Sequence, residues 1–143
     1  MALITDIADA VVDNLNDHDF SQDFTAERRY LANLDLKDMG GELFVTVVMR
    51  SLEMTAATRA GATEKKFKID IAVRKKLTKI EEDEEVDDLV DLVEEIIDYL
   101  KPIGMFSIAR CHIIENAPVY IPEHLSSLRQ FTSVITLSLK VIS

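Results

Sequence analysis

A chain of 143 residues, 48% hydrophobic and 29% charged, reads as one soluble globular domain spanning residues 1–143, able to bury a core and too apolar to be disordered. Its formal net charge of −10 would repel a polyanion and argues against a protein that wraps or reads DNA. With no apolar run of ~18 residues the chain offers no helical membrane span. The start MALITDIADAVV lacks the basic region of a signal peptide, and the single cysteine, Cys111, fits a reducing cytoplasm.

Ile4, Ile7, Ala8, Val11 and Leu15 recur at helical spacing and predict an amphipathic helix over 3–16, with Asp6, Asp9 and Asp13 on its polar face. Residues 22–31 alternate Phe24, Ala26, Arg28 and Tyr30 against Thr25, Glu27 and Arg29, a strand pattern. The chain then passes a double-glycine turn at Gly40-Gly41 and becomes another strand, in which Leu43, Val45, Val47 and Met49 alternate with Phe44, Thr46 and Val48. Apolar residues on both faces predict a central strand covered on both sides.

From Ser51 to Glu64 the residues are small and polar, a stretch too long for a hairpin turn. It predicts a loop that orders on a partner, with Arg59 as the anchor, because arginine is favoured at interface hot spots. The next stretch, KKFKIDIAVRKKL, is the clearest strand, with Phe67, Ile69, Ile71 and Val73 inward and Lys66, Lys68, Asp70 and Arg74 outward. The strands flanking the loop are natural antiparallel partners. The period then changes to that of a helix: Val86, Leu89, Val90, Val93, Ile96, Ile97 and Leu100 line one face, and Pro102 with Gly104 ends it. Two further strands are predicted over 105–114 and 131–142, joined by a Pro-rich surface segment with a short turn near Pro122. Helix, three strands, helix, two strands makes an α+β domain: one mixed or antiparallel sheet of about five strands packed with two amphipathic helices.

The residues offer little for catalysis. Cys111 and His112 are adjacent in a strand, so they are expected on opposite faces and not as a thiol–imidazole pair. His18 and His124 are scattered and show no metal-ligand spacing. The acids after Ile80 lie along a helix and not in a tight glycine-containing calcium loop. There is no phosphate-cradling glycine loop and no nucleophile elbow. The expectation is a protein without catalytic residues, metal or cofactor.

Charge is the stronger signal. Residues 80–100 hold 11 acids and no base, and residues 65–79 hold seven bases and one acid. A helix selected only for solubility usually mixes Glu with Lys, because like charges at i,i+4 cost stability. The outer helix face carries Asp87, Asp91, Glu94, Glu95 and Asp98, among others. The preceding strand carries Lys65, Lys66, Lys68, Arg74, Lys75 and Lys76. Opposed patches on one small molecule suit head-to-tail contacts between copies.

The order of elements carries a resemblance. An N-terminal helix leads to FTAERRYLANLDLKDMGGELFVTVVMR, then a loop containing AATRAG, then KKFKIDIAVRKKL, then an acidic helix. With the short pieces Arg28-Arg29-Tyr30 and Ile69-Asp70-Ile71-Ala72-Val73, residues 3–100 resemble the small tail-terminator and neck (head–tail joining) proteins of tailed bacteriophages. The resemblance implies a virion protein, assembled in the host cytoplasm, that forms a homo-oligomeric ring, typically a hexamer. Such a ring caps the tail tube, contacts the tail-tube protein, stops its growth and docks a head-completion or neck protein. Double-stranded DNA would pass through the channel without specific binding, and no membrane is involved. Head-closure (stopper) proteins follow the same ring logic. Two readings of other classes stand beside it: a small acidic adaptor or chaperone-like module, which would be dimeric, and an enzyme with a pocket that sequence does not reveal.

Overall fold

The computed structural model describes residues 3–30, 43–56, 63–77, 83–117, 119–123, 125 and 130–142. In chain order these form α1 (Leu3–Asn16), β1 (Ala26–Arg29), β2 (Leu43–Ala56), β3 (Thr63–Lys76), α2 (Asp83–Ile103), β4 (Met105–Phe106), β5 (Ala109–Asn116) and β6 (Gln130–Ile142). The six strands make one sheet in the order β1-β2-β3-β6-β5-β4. All neighbours are antiparallel except β1 and β2, which run parallel. The fold is α+β, with one strand more than the periodicity predicts.

Each helix forms because its apolar residues fall on one stripe that the sheet covers. Ile7, Ala8, Val11 and Leu15 of α1 are fully buried, as are Leu89, Leu92, Val93, Ile96 and Leu100 of α2. Glu84 and Glu85 in the first turn of α2 and Lys101 in its last turn complement the helix dipole. Pro102 sits inside that last turn, so the stop is Gly104 alone, at φ +69°. A Cβ there would meet nothing within 4 Å, so backbone angle, and not space, is what calls for glycine.

Both helices pack on the same face of the sheet. That face carries Val45 and Val47 of β2, Phe67, Ile69, Ile71 and Val73 of β3, and Phe131, Ile135, Leu137 and Leu139 of β6 in one continuous core. Helix α1 contacts β1 and β2 near one edge and β4 at the other, so the sheet curls around it. Arg28 Nε donates to Asp9 Oδ1 at 2.8 Å, tying β1 to α1. Asn16 closes the same corner, donating to the Ala26 carbonyl and accepting from its N–H.

Four expectations change. The strand predicted over 22–31 is only Ala26–Arg29. Its parallel pairing with β2 is one that a tight turn cannot make; Gly40 and Gly41 themselves lie outside the described residues. The predicted loop from Ser51 to Glu64 is mostly strand: Ser51–Ala56 pair with Thr63–Lys68 in a long hairpin, and Arg59 lies outside the described residues. Polar residues misled here because residues 50–54 lie exposed along the edge of the sheet, where apolar alternation is not required. Finally, the strand predicted over 105–114 divides at a two-residue turn, Ser107-Ile108, with Ser107 at φ +57°, and its second half runs on to Asn116.

Candidate interaction surfaces

The acidic face of α2 stands where its periodicity places it. Asp87, Asp91, Glu94 and Asp98 are exposed on the side away from the sheet, and Glu95 is half-buried, accepting the Ser21 N–H at 2.9 Å. Lys66 and Lys68 are exposed on the opposite face of the sheet. The acids and these two bases therefore lie on opposite sides of the sheet. Among the described residues no group of three or more His, Cys, Asp or Glu side chains could hold a metal ion, and no helix is long and apolar enough to cross a membrane.

The other strand bases do not form an outward patch. Lys75 is on the helix face and pairs with Glu85 at 3.3 Å, joining β3 to α2. Arg74 was expected to point into solvent with Lys66 and Lys68; its register does place it on their face, but it is only 4% exposed. It lies opposite Phe44 on β2 and Thr132 on β6, in a buried polar set with Thr46, Gln130, Thr132 and Thr136. Its Nη2 donates to Thr46 Oγ1 at 3.0 Å, while Nε and Nη1 find no acceptor among the described residues. Burial pushes the guanidinium below its ordinary range. Strand alternation identifies which face a residue takes; it does not show whether that face is covered.

An aromatic cluster escapes sequence reasoning entirely. His18 stacks on Tyr99 with centroids 4.1 Å apart. Phe20 meets both rings edge-on, and Phe24 stacks on Phe20. His18 and Tyr99 join Glu95, Asp98, Pro102 and Ile103 around an open cleft of about 510 Å³. The available signal was weak: two phenylalanines in an Asp-rich loop, and the lone aromatic of α2. A second cleft of about 660 Å³ sets the apolar Met105 and Ile108 beside Arg110 and Lys140.

Cys111 and His112 also depart from expectation. The β5–β6 register shifts between Cys111 and Ile113, and this bulge brings both side chains to one cleft of about 330 Å³, with Ile97, Lys101 and Ile114. The thiol donates to the Ile113 carbonyl at 3.6 Å, and burial pushes it above its ordinary value. The thiolate is the reactive form. Native protein at about pH 8 is therefore expected to alkylate more slowly than free cysteine, and to catch up in denaturant. Cys111→Ser should leave fold and self-association intact. Rapid alkylation of the folded chain, or loss of function in a Ser variant whose fold and self-association are intact, would show a working thiol. No protein-family model matches this chain and no curated protein matches it significantly, so its function is argued from these surfaces and from the resemblance in its sequence.

Proposed function

We propose that this chain is a structural ring subunit of a tailed-phage neck, a tail terminator that caps the tail tube and offers a docking surface to the head. The observation that carries the reading is the opposition of charged faces: an outer helix surface without a base before Lys101 and, on the far face of the sheet, Lys66 and Lys68. The element order that resembles neck proteins supports it, and so does the outer end of β2, which presents Leu52 and Met54 to solvent. Such a role needs no reacting group. Its needs are contacts on several sides of a small rigid domain and a surface that does not adhere to passing DNA.

The acids have two ways to serve this role. They either meet a neighbour's bases or line the channel. Exposed ion pairs contribute about 0.2–1 kcal/mol each and are screened over ~8 Å at physiological ionic strength. The first arrangement therefore makes ring formation weaken with salt. The second leaves assembly insensitive to salt, and neutralised acids then hold DNA. The triple substitution Asp91→Asn, Glu94→Gln, Glu95→Gln tests both, and Gln at 95 keeps an acceptor for the Ser21 N–H. Solution mass across a salt series and retention of duplex DNA are the two measurements. A ring mass with a change in one of them supports the reading. A fixed dimer indicates an adaptor instead, and no change in either measurement means the acids are merely solvated.

A further inference from the structure

We propose that copies of this chain join head-to-tail through their sheet edges, the outer edge of β2 past Val48 in one copy adding to the outer edge of β5 in the next. Strand β1 covers β2 only from Val45 to Val48. Beyond it, among the described residues, β2 has no neighbour on that side, and Arg50 through Met54 are all exposed. At the other edge β4 covers only Ala109 and Arg110, and the Gly104 carbonyl takes the Cys111 N–H at 2.8 Å. From His112 to Glu115, β5 has no outer neighbour among the described residues.

An open edge presents unpaired backbone donors and acceptors, and soluble proteins usually guard it with lysine, proline, a bulge or a short strand. Here the two stretches read RSLEMTA and HIIEN, with no lysine or proline. A bulge falls at Arg50 and another at His112, each at the start of its stretch, leaving Glu53 and Glu115 as the only charges on the remainder. Both edges carry exposed apolar side chains. Leu52 is 54% and Met54 59% exposed on β2. On the other side Ile113 is 44% exposed, with Val119 and Tyr120 continuing past the strand.

The partner is a second copy because the chain itself supplies both halves of the joint. Successive antiparallel pairings make β2 and β5 run in opposite directions. A copy set alongside in the same orientation therefore places its β2 antiparallel to β5, the common and slightly stronger pairing. The free stretches are staggered. Through Ile69 and Leu137, Ile114 lies in the same cross-sheet row as Met49, so the middle of one stretch meets the middle of the other about four residues further along. At 3.3 Å per residue this offsets neighbours by roughly 13 Å along the strands. A repeated offset closes only where the strands tilt against the assembly axis, as they do in barrels. The inference deepens the ring reading by naming its joints, but it rests on self-association and not on a place in a virion.

The test uses Leu52→Lys and Ile113→Lys, each at an exposed position, with far-UV circular dichroism to check the fold and sedimentation to read mass. Wild type is expected to form oligomers with rising concentration, and each variant alone to run as one chain. Mixed, the variants should form a one-to-one dimer, because each retains the edge that the other has lost. A symmetric β2–β2 or β5–β5 joint would leave one variant associating by itself and overturns the proposal. So does a wild type that stays a single chain at every concentration, or a mixture that does not combine. Hydrogen exchange on the wild type reads the same joint without substitutions: amides of 50–56 and 112–116 should gain protection on assembly, and unchanged exchange there in an oligomer also overturns it. Failure of the charge test, with these results intact, would remove the charge argument for the neck role and leave the joint standing.

Discussion

Ile71→Ala is expected to cost about 2–5 kcal/mol, the range for truncating a fully buried aliphatic side chain, and to lower the melting temperature by roughly 5–20 °C for a domain of this size. Ile71 is 0% exposed and central in the sheet, paired with Val47 on one side and Ile135 on the other. Its side chain faces the two helices, so the cavity would open where β2, β3, β6 and the helices meet and where none can move inward without breaking a ladder. Leu52→Ala is the control. It removes a comparable group from a residue that is 54% exposed, and at high dilution it should change stability by no more than about 0.5 kcal/mol. Urea unfolding of the two variants separates the cases. A loss below about 1 kcal/mol for Ile71→Ala would mean that the packed face of β3 has been misassigned.

Arg74→Met is expected to act in the opposite direction, raising stability by about 1–4 kcal/mol. Replacing whole buried ion pairs with hydrophobes of similar volume is often stabilising on this scale, because the desolvation penalty disappears with the charges, and the same penalty falls on Arg74. Arg74 is a strong case: it is 4% exposed, and among the described residues it donates to Thr46 Oγ1 while two of its nitrogens have no acceptor. The Thr46 hydroxyl loses its donor, which offsets about 1 kcal/mol of the gain. Arg74→Lys, which keeps a charge but loses the planar fork, should not share the gain. Thermal unfolding of the isolated chain decides the matter. If Met destabilises the protein, or stabilises the chain while abolishing its self-association, the guanidinium is held by an anion and is retained for that contact.

Much of the architecture was legible in the sequence, and the legible part has one cause. Helical stripes such as Ile7, Ala8, Val11 and Leu15, and the alternation of Phe67, Ile69, Ile71 and Val73, are consequences of backbone period, which each segment expresses locally. The antiparallel pairing of β2 with β3 followed from two matched apolar strands close in sequence. The acid face of α2 followed from the same helical period that buries its other side.

What the sequence could not convey depends on segments far apart along the chain. Nothing local to Ala26–Arg29 specifies a parallel neighbour, because that pairing depends on α1 packing against both β1 and β2. Arg74 alternates like an outward strand base, and only its strand neighbours and the burial around Thr46, Gln130 and Thr132 turn it into a buried charge. His18 and Tyr99 meet because α2 folds back over the sheet beside the end of α1. The bulge at His112 lets two consecutive residues share a cleft that alternation forbids. By itself the sequence determined which residues face which way along each element, since that is a property of the local backbone period. Tertiary structure alone decided which of those faces are covered and which edges are left open, because coverage depends on packing between segments that no local pattern encodes.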